Sequence, residues 1–382
     1  MLKSSNFKCT LRPASESGAI EGINHAIVFY QTGYWAGWPA NHGIWSWGKE
    51  ILVGFTAAQH ENKPGHTYNE ATARHMFARS LDGGLTWSVE DAYKQGITGA
   101  ALCHVLGDKA AAPQECPVSI DFTHPDFALQ FTHEHFYHGP SCFYYSYDRG
   151  RSWQGPFQFP DLDTTGMGNR TCYLINGKHE LLAFLSTTIN HRQDRRAACA
   201  RSVDGGRTWK RISWIGDENA LMPAAVRLSP SKILSVIRVR PEIFSPISPC
   251  GLSVYLSEDN AGNWRKLDAP ELGNLPAQSG DRIDNPPSLI KLTDGRLCLV
   301  YGVRIEPCRI CARFSSDEGK TWSNEIILRS NDGACFDMGY TRVVQNPDGM
   351  LVVIYYYNHA LCTGMLPYRF IAATIWDPDK IA

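Results

Sequence analysis

No apolar run in this 382-residue chain reaches the roughly 18 residues that a membrane-spanning helix needs, which argues against a helical membrane anchor. The N-terminal stretch MLKSSNFKCTLRPASESG has no hydrophobic core and does not read as a secretory signal. The chain as written is therefore expected to be cytoplasmic, or secreted with its signal removed. An excess of charge of one sign is also missing: 37 Lys and Arg face 38 Asp and Glu, a net charge of −1. Without a basic excess to hold phosphates, neither nucleic acid nor a membrane surface is an expected partner. Helical periodicity is nearly absent. Tightly paired cysteines are absent too, and the 12 scattered Cys read as reduced, mostly buried thiols. Cys308 and Cys311 form the one CxxC, in a strand-like run without the second pair that would complete a zinc site. No metal and no cofactor is expected. Asn169-Arg170-Thr171 fits a glycosylation sequon, which matters only in a secreted protein.

What the chain does have is a repeat. Residues 79–87 read RSLDGGLTW, and the pattern S-x-D-x-G-x-T/S-W returns at residues 146–153, 202–209 and 315–322, with a degraded copy at 257–264. The five aspartates, Asp82, Asp148, Asp204, Asp259 and Asp317, are spaced by 66, 56, 55 and 58 residues. A near-fixed period with one signature per repeat indicates a solenoid or propeller. The pattern has a mechanical reading that needs no ligand. The Asp carboxylate accepts hydrogen bonds from the backbone N–H groups that follow it, in an Asx-type turn. The Gly permits a positive φ where the turn tightens. The Thr and Trp then open a strand, and the indole fills the gap between neighbouring sheets.

Each repeat holds more than its box. Before the third box come strand-like runs at 170–175, 181–186 and 197–202, with the turn Asn176-Gly177 between the first two. The fifth repeat matches, with runs at 287–292, 297–302 and 310–315. Three strands plus one after the box make a four-stranded blade, and blades set radially make a β-propeller. Residues after 330 supply three more strands, at 340–344, 351–357 and 369–376, and a segment around 26–30 can supply the fourth and close the ring. The predicted fold is all-β, a six-bladed β-propeller in one domain over residues 1–382.

The five boxes are Asp-box (BNR) repeats, and with six blades the chain resembles the sialidase (neuraminidase) superfamily over nearly its full length. The resemblance implies a set of site residues. Sialidases use three arginines for the substrate carboxylate, a tyrosine nucleophile with a glutamate partner, and an aspartate acid/base. Arg238, in the run 232–240, stands where the family has an arginine ending the second strand of the fourth blade, and Arg304 matches the one that follows the second strand of the fifth. Gly339-Tyr340-Thr341-Arg342, followed by Pro347-Asp348-Gly349, matches the tyrosine segment. Three parts depart from the family. Residues 37–43 read GWPANHG where a first-blade arginine would stand. The loop after residue 56, which would carry the aspartate, reads AAQHENKPGH. Met222-Pro223 stands where the glutamate would be.

In a propeller the loops entering each inner strand converge on the axis. Candidates there are His42, Asp126 with His124, Arg170, Asp284 and Tyr340, and the ends of the second strands add His60, Arg238, Arg240 and Arg304. Arginines around one axis make an anion pocket, because guanidinium grips carboxylate in bidentate fashion. The expected partner is an acidic oligosaccharide ending in a sialic or uronic acid. Arg170, Arg238, Arg304, Arg342 and Asp126 are the expected substrate-binding residues; Tyr340, His42 and His60 are the expected catalytic ones, since imidazole titrates near neutrality. Three activities fit: a sialidase-like hydrolase, a hydrolase or lyase of uronate linkages with a histidine acid/base, and a glycan-binding propeller without turnover. His66 reads as an ordinary residue of a polar loop. His133, His135 and His138 alternate along one segment but lack an evident fourth metal ligand.

Overall fold

The structure is a computed structural model that describes residues 22–98, 110–133, 141–168, 170–189, 195–217, 219–239, 251–269, 272, 285–304, 307–330, 337–358 and 368–380. Strand β1 (Ile23–Phe29) is followed by the first sheet, made of β2 (Tyr34–Gly37), the short helix α1 (Pro39–His42), β3 (Ile44–Trp47), β4 (Glu50–Gln59), β5 (Arg74–Ser80) and β6 (Ser88–Asp91). The second sheet is β7 (Ala128–His133), β8 (Ser141–Ser146) and β9 (Gln154–Phe159). The third holds β10 (Gly166–Met167), β11 (Tyr173–Gly177), β12 (Glu180–Thr188), β13 (Arg195–Ser202) and β14 (Lys210–Ile215). The fourth is β15 (Ala220–Arg227), β16 (Ile233–Val239), β17 (Gly251–Ser257) and β18 (Arg265–Leu267), and the fifth is β19 (Ser288–Lys291), β20 (Leu297–Val303), β21 (Arg309–Ser315) and β22 (Ile326–Arg329). The sixth joins β23 (Gly339–Gln345), β24 (Leu351–Asn358) and β25 (Arg369–Trp376) to β1, in the order β1-β25-β24-β23. All pairings between strands of these six sheets are antiparallel. This is the six-bladed propeller read from the repeats, and β1, in register with β25 from Ile23↔Trp376, closes the ring as expected.

The strands bury both faces, so alternate residues serve different neighbours. In β20, Leu297, Leu299 and Tyr301 pack with the fourth blade, whereas Cys298 and Val300 pack with the sixth. The core is accordingly six apolar clusters, one between each pair of adjacent blades, rather than a single centre.

The boxes are turns of the expected kind. In the first, Asp82 accepts from Leu85 N at 3.0 Å, Thr86 N at 2.9 Å and Thr86 Oγ1 at 2.5 Å, while Ser80 Oγ accepts from Gly84 N at 2.8 Å. Gly84 has φ +101, and a Cβ there would stand 2.7 Å from Val352 Cγ1 of the sixth blade. In the degraded copy Asn263 takes the place of Thr, donating Nδ2–H to Asp259 at 2.7 Å. The indoles fill the gaps between blades: Trp153 stacks on Phe77 of the first blade, 5.5 Å between centroids and 13° between planes. The described cysteines, Cys308 and Cys311 included, are free thiols. No helix among the described residues is long and apolar enough to cross a membrane.

Strand direction sorts the two ends of the ring. Within a blade the inner strand starts, and the second strand ends, at one end; the box after the third strand lies at the other. Asp126 was expected at the axial end, and this is corrected. It precedes β7, which pairs with the box-bearing β8 from Ala128↔Ser146 and so occupies the second-strand position. That places Asp126 at the box end, where it accepts from Arg149 Nε at 2.6 Å.

Candidate functional site

At the axial end the inner strands of the fourth and sixth blades both carry register shifts, between Leu221 and Ala224 and between Gly339 and Arg342. Such bulges bend a strand and re-aim side chains. Here they hold two non-glycine residues at positive φ, Met222 at 58° and Tyr340 at 52°. Tyr340 is fixed from behind by Asn285, fully buried, whose Oδ1 accepts Tyr340 N–H at 2.7 Å and whose Nδ2 donates to Met338 O at 3.2 Å. Gly339, at φ +103, gives Asn285 its room: a Cβ there would lie 2.3 Å from Asn285 Oδ1.

Around the Tyr340 ring stand guanidinium groups from three blades. Arg170, before β11, lies 5.2 Å from the ring centroid, and Arg304, after β20, lies 5.4 Å away. Arg238, near the end of β16, contributes its charge and bonds Met222 Sδ at 3.4 Å. Burial opposes ionisation of the Tyr340 phenol, but the charges of Arg170, Arg238 and Arg304 outweigh it and hold the phenol below its ordinary value. Burial, helped by the charges of Arg238 and Arg342, brings Arg170 down to about 10. Arg170 also donates to Asn41 Oδ1 of α1, and its Nε is buried without a hydrogen-bond partner among the described residues.

Arg342 sits beside this cluster but turns its donors to main-chain carbonyls: Pro39 O at 3.5 Å, Ala40 O, and Thr171 O at 2.8 Å. It ties the sixth blade to α1 and to the third blade. His42, 1% exposed, bonds Thr56 Oγ1 through Nε2 at 2.8 Å, and its ring lies 4.2 Å from that of His75, tilted by 45°. His75 is driven down to about 3 by burial alone, a neutral ring beneath α1. His60 lies past the end of β4 with its ring 5.3 Å from Tyr368. Its two nitrogens have no hydrogen-bond partner among the described residues, and burial, then the charge of Arg369, lowers its pKa. The structure thus brings Tyr340, Arg170, Arg238 and Arg304 together, sets Arg342 and His42 in their support, and leaves His60 and Asp126 apart. Asp284, Arg240, His135 and His138 lie outside the described residues, among which no group of three or more His, Cys, Asp or Glu could hold a metal.

Sequence reasoning missed Asp337, Asn285 and Tyr356, and passed over His66. Tyr356 accepts from Arg304 Nη2 at 2.7 Å and donates to Asp337 Oδ1 at 2.6 Å, and its ring is 5.8 Å from that of Tyr340. The available signal was weak: an acidic residue three positions before Tyr340, and a run of three tyrosines in an apolar strand.

Comparison with known proteins agrees with this architecture. A family model described as BNR repeat-like domain matches residues 127–353. No curated protein matches the chain. Among solved structures, a protein of unknown function from Dyadobacter fermentans DSM 18053 superposes with a TM-score of 0.67 at 20% identity, covering 94% of this chain and 100% of that one. A Trypanosoma rangeli sialidase gives 0.57 at 11% identity, over 94% of this chain and 60% of that one. A Penicillium chrysogenum alpha-L-arabinanase complexed with arabinobiose gives 0.54 at 13%, over 87% and 91%. At these identities the likeness establishes a shared fold.

Proposed function

The chain belongs to the BNR repeat-like domain family, and from that premise we propose that it is a glycoside hydrolase acting on a glycan with a terminal acidic sugar. Arg170, Arg238 and Arg304 bind the sugar carboxylate, and Tyr340 attacks the anomeric carbon. The observation that carries this reading is the Tyr340 phenol, buried among three guanidinium groups that favour its ionised form. A buried cation without a carboxylate is costly, and among the described residues Arg170 is bonded to an amide and a phenol instead. A substrate carboxylate supplies the missing anion and uses the planar donor set of arginine. Phenolate is a competent nucleophile once its charge is stabilised, and a sialidase and an arabinanase among the solved structures share this fold.

A second reading follows from the same phenol. An arginine-bound uronate has an acidified neighbouring C–H, and a phenolate beside it can serve as the base of a β-elimination. One experiment separates them. The protein is incubated with sialylated oligosaccharides, with glucuronate-terminated ones and with ones carrying an internal 4-O-linked glucuronate, whose C4–O bond is the one an elimination breaks, and products are weighed by mass spectrometry. Gain of one water is the expected hydrolytic outcome, and an unsaturated uronate indicates the lyase. Tyr340→Phe is expected to lower turnover more than about 100-fold. Undiminished turnover in Tyr340→Phe, or no turnover of any panel member by the natural chain, refutes the proposal.

A further inference from the structure

Asp337 lies two residues before β23 and is fully buried. Its Oδ1 accepts from His66 Nδ1 at 2.8 Å and from the Tyr356 hydroxyl at 2.6 Å. Its Oδ2 accepts from Arg369 Nε at 3.1 Å and lies 3.5 Å from Trp35 Nε1. Asn358 Nδ2 donates to its carbonyl at 3.1 Å. Burial resists its ionisation, but the hydrogen bond and charge of His66, with Arg369 and Tyr356, keep the carboxyl far below its ordinary range.

His66 comes from the loop between β4 and β5 and packs edge-on against Trp38, 4.9 Å between centroids and 89° between planes. Its side chain is 39% exposed, unlike the 1% of His42. A carboxylate on Nδ1 fixes the tautomer: the neutral ring keeps its proton on Nδ1 and carries a lone pair on Nε2, and the charged ring carries an acidic proton there. Tyr356 then links this pair to Arg304 and, ring to ring, to Tyr340. A buried ionised carboxylate, an oriented and accessible imidazole, and a one-hydroxyl link to the arginine–tyrosine cluster are the parts of an acid/base device. Neither His42 nor His60 has them.

We propose that His66 is the catalytic acid/base of this site and that Asp337 positions it. The proposal rests on the hydrolytic reading above. As the Tyr340 oxygen bonds to the anomeric carbon, the bond from that carbon to the glycosidic oxygen breaks and its electron pair stays on the oxygen. That oxygen takes the Nε2 proton of His66. Water then attacks the anomeric carbon, returns a proton to Nε2 and releases Tyr340 as phenolate, so the second step restores the first.

An acid is needed only when the leaving group is a poor one. The test compares kcat/KM for the 4-nitrophenyl and methyl glycosides of N-acetylneuraminic acid and of glucuronic acid. His66→Gln is expected to lose at least about 100-fold on the methyl glycoside and under about 10-fold on the nitrophenyl glycoside, whose leaving group departs without a proton. Equal losses on both, or no loss, overturn the assignment of His66 while leaving the hydrolytic reading intact. If the natural chain cleaves none of the four, the hydrolytic reading fails and this proposal falls with it. For the positioning role, 15N NMR of histidine-labelled protein is expected to show His66 protonated on Nδ1 in the neutral form, and Asp337→Asn to move that proton toward Nε2. If the natural chain instead carries it on Nε2, Asp337 does not fix the ring. Thermal melts of both variants report whether the fold is kept.

Discussion

Replacing Arg170 with methionine removes one of the charges that favour ionisation of the Tyr340 phenol while keeping much of the side-chain volume. The guanidinium carbon lies 5.2 Å from the ring centroid. At an effective dielectric near 20, one unit charge at that distance stabilises a phenolate by about 3 kcal/mol, or about 100-fold in the ionised fraction. The sign follows from the lowered folded-state value of Tyr340: ionisation is favoured in the intact site, and Arg170→Met returns the phenol toward the protonated form. At pH values below the folded-state value of the phenol kcat/KM should therefore fall about 100-fold, with a climb of about tenfold per pH unit as the phenol approaches its titration. Difference absorbance against Tyr340→Phe follows the phenolate directly and needs no substrate. Arg170→Lys keeps the charge and should keep much of the lowering of the phenol. If Arg170→Met titrates as the natural protein does, the arginine cluster does not control Tyr340 and the electrostatic account of the site is wrong.

Two further predictions concern the frame. Gly339→Ala places a Cβ 2.3 Å from Asn285 Oδ1 at φ +103 and should cost about 2–4 kcal/mol in urea denaturation, with kcat/KM down at least about tenfold as Tyr340 shifts. Gly349→Ala, at φ +81 with nothing within 4 Å, should cost only about 1 kcal/mol and leave activity unchanged; equal effects at the two positions would refute the crowding argument. Glu50, buried at the box end, accepts from Arg79 Nη1 at 2.8 Å, Arg151 Nη2 at 2.7 Å and Arg149 Nη1 at 3.0 Å, joining the first and second blades. Burial opposes its ionisation, but bonds to Arg149 and Arg79 and the charge of Arg151 hold its carboxyl below the ordinary value. Its stabilisation is thus full above the ordinary glutamate range and lost as pH falls through the lower folded-state value. Glu50→Gln should cost about 3 kcal/mol near neutrality and flatten the acid limb of a stability–pH curve; an unchanged limb would assign the acid sensitivity elsewhere.

Box spacing, alternating apolar runs and turn residues are local features, and each blade of a propeller packs its sheet faces against its two neighbours, meeting more distant blades at the axis. Blade count, ring closure by the segment near residue 26 and the shared setting of Arg238, Arg304 and Tyr340 were therefore readable along the chain, because each depends on a position within its own repeat. Asp126 was misplaced because the strand count of the second blade could not be read, and a one-strand error exchanges the two ends of the ring.

The role of Asp337 belongs wholly to the tertiary structure. Its partners His66, Arg369, Tyr356 and Trp35 come from the first and sixth blades, up to 302 positions away in sequence. His66 looked like any histidine of a polar loop, and His42 looked like a catalytic one. Burial and hydrogen-bond partners separate them, and both are set only when the ring closes. By itself the sequence determined the repeat, the blades and the arginine and tyrosine positions that its own repeats place near the axis. The closed ring decided which of them meet, because the charge and exposure that give a side chain its chemistry are made by neighbours from other blades.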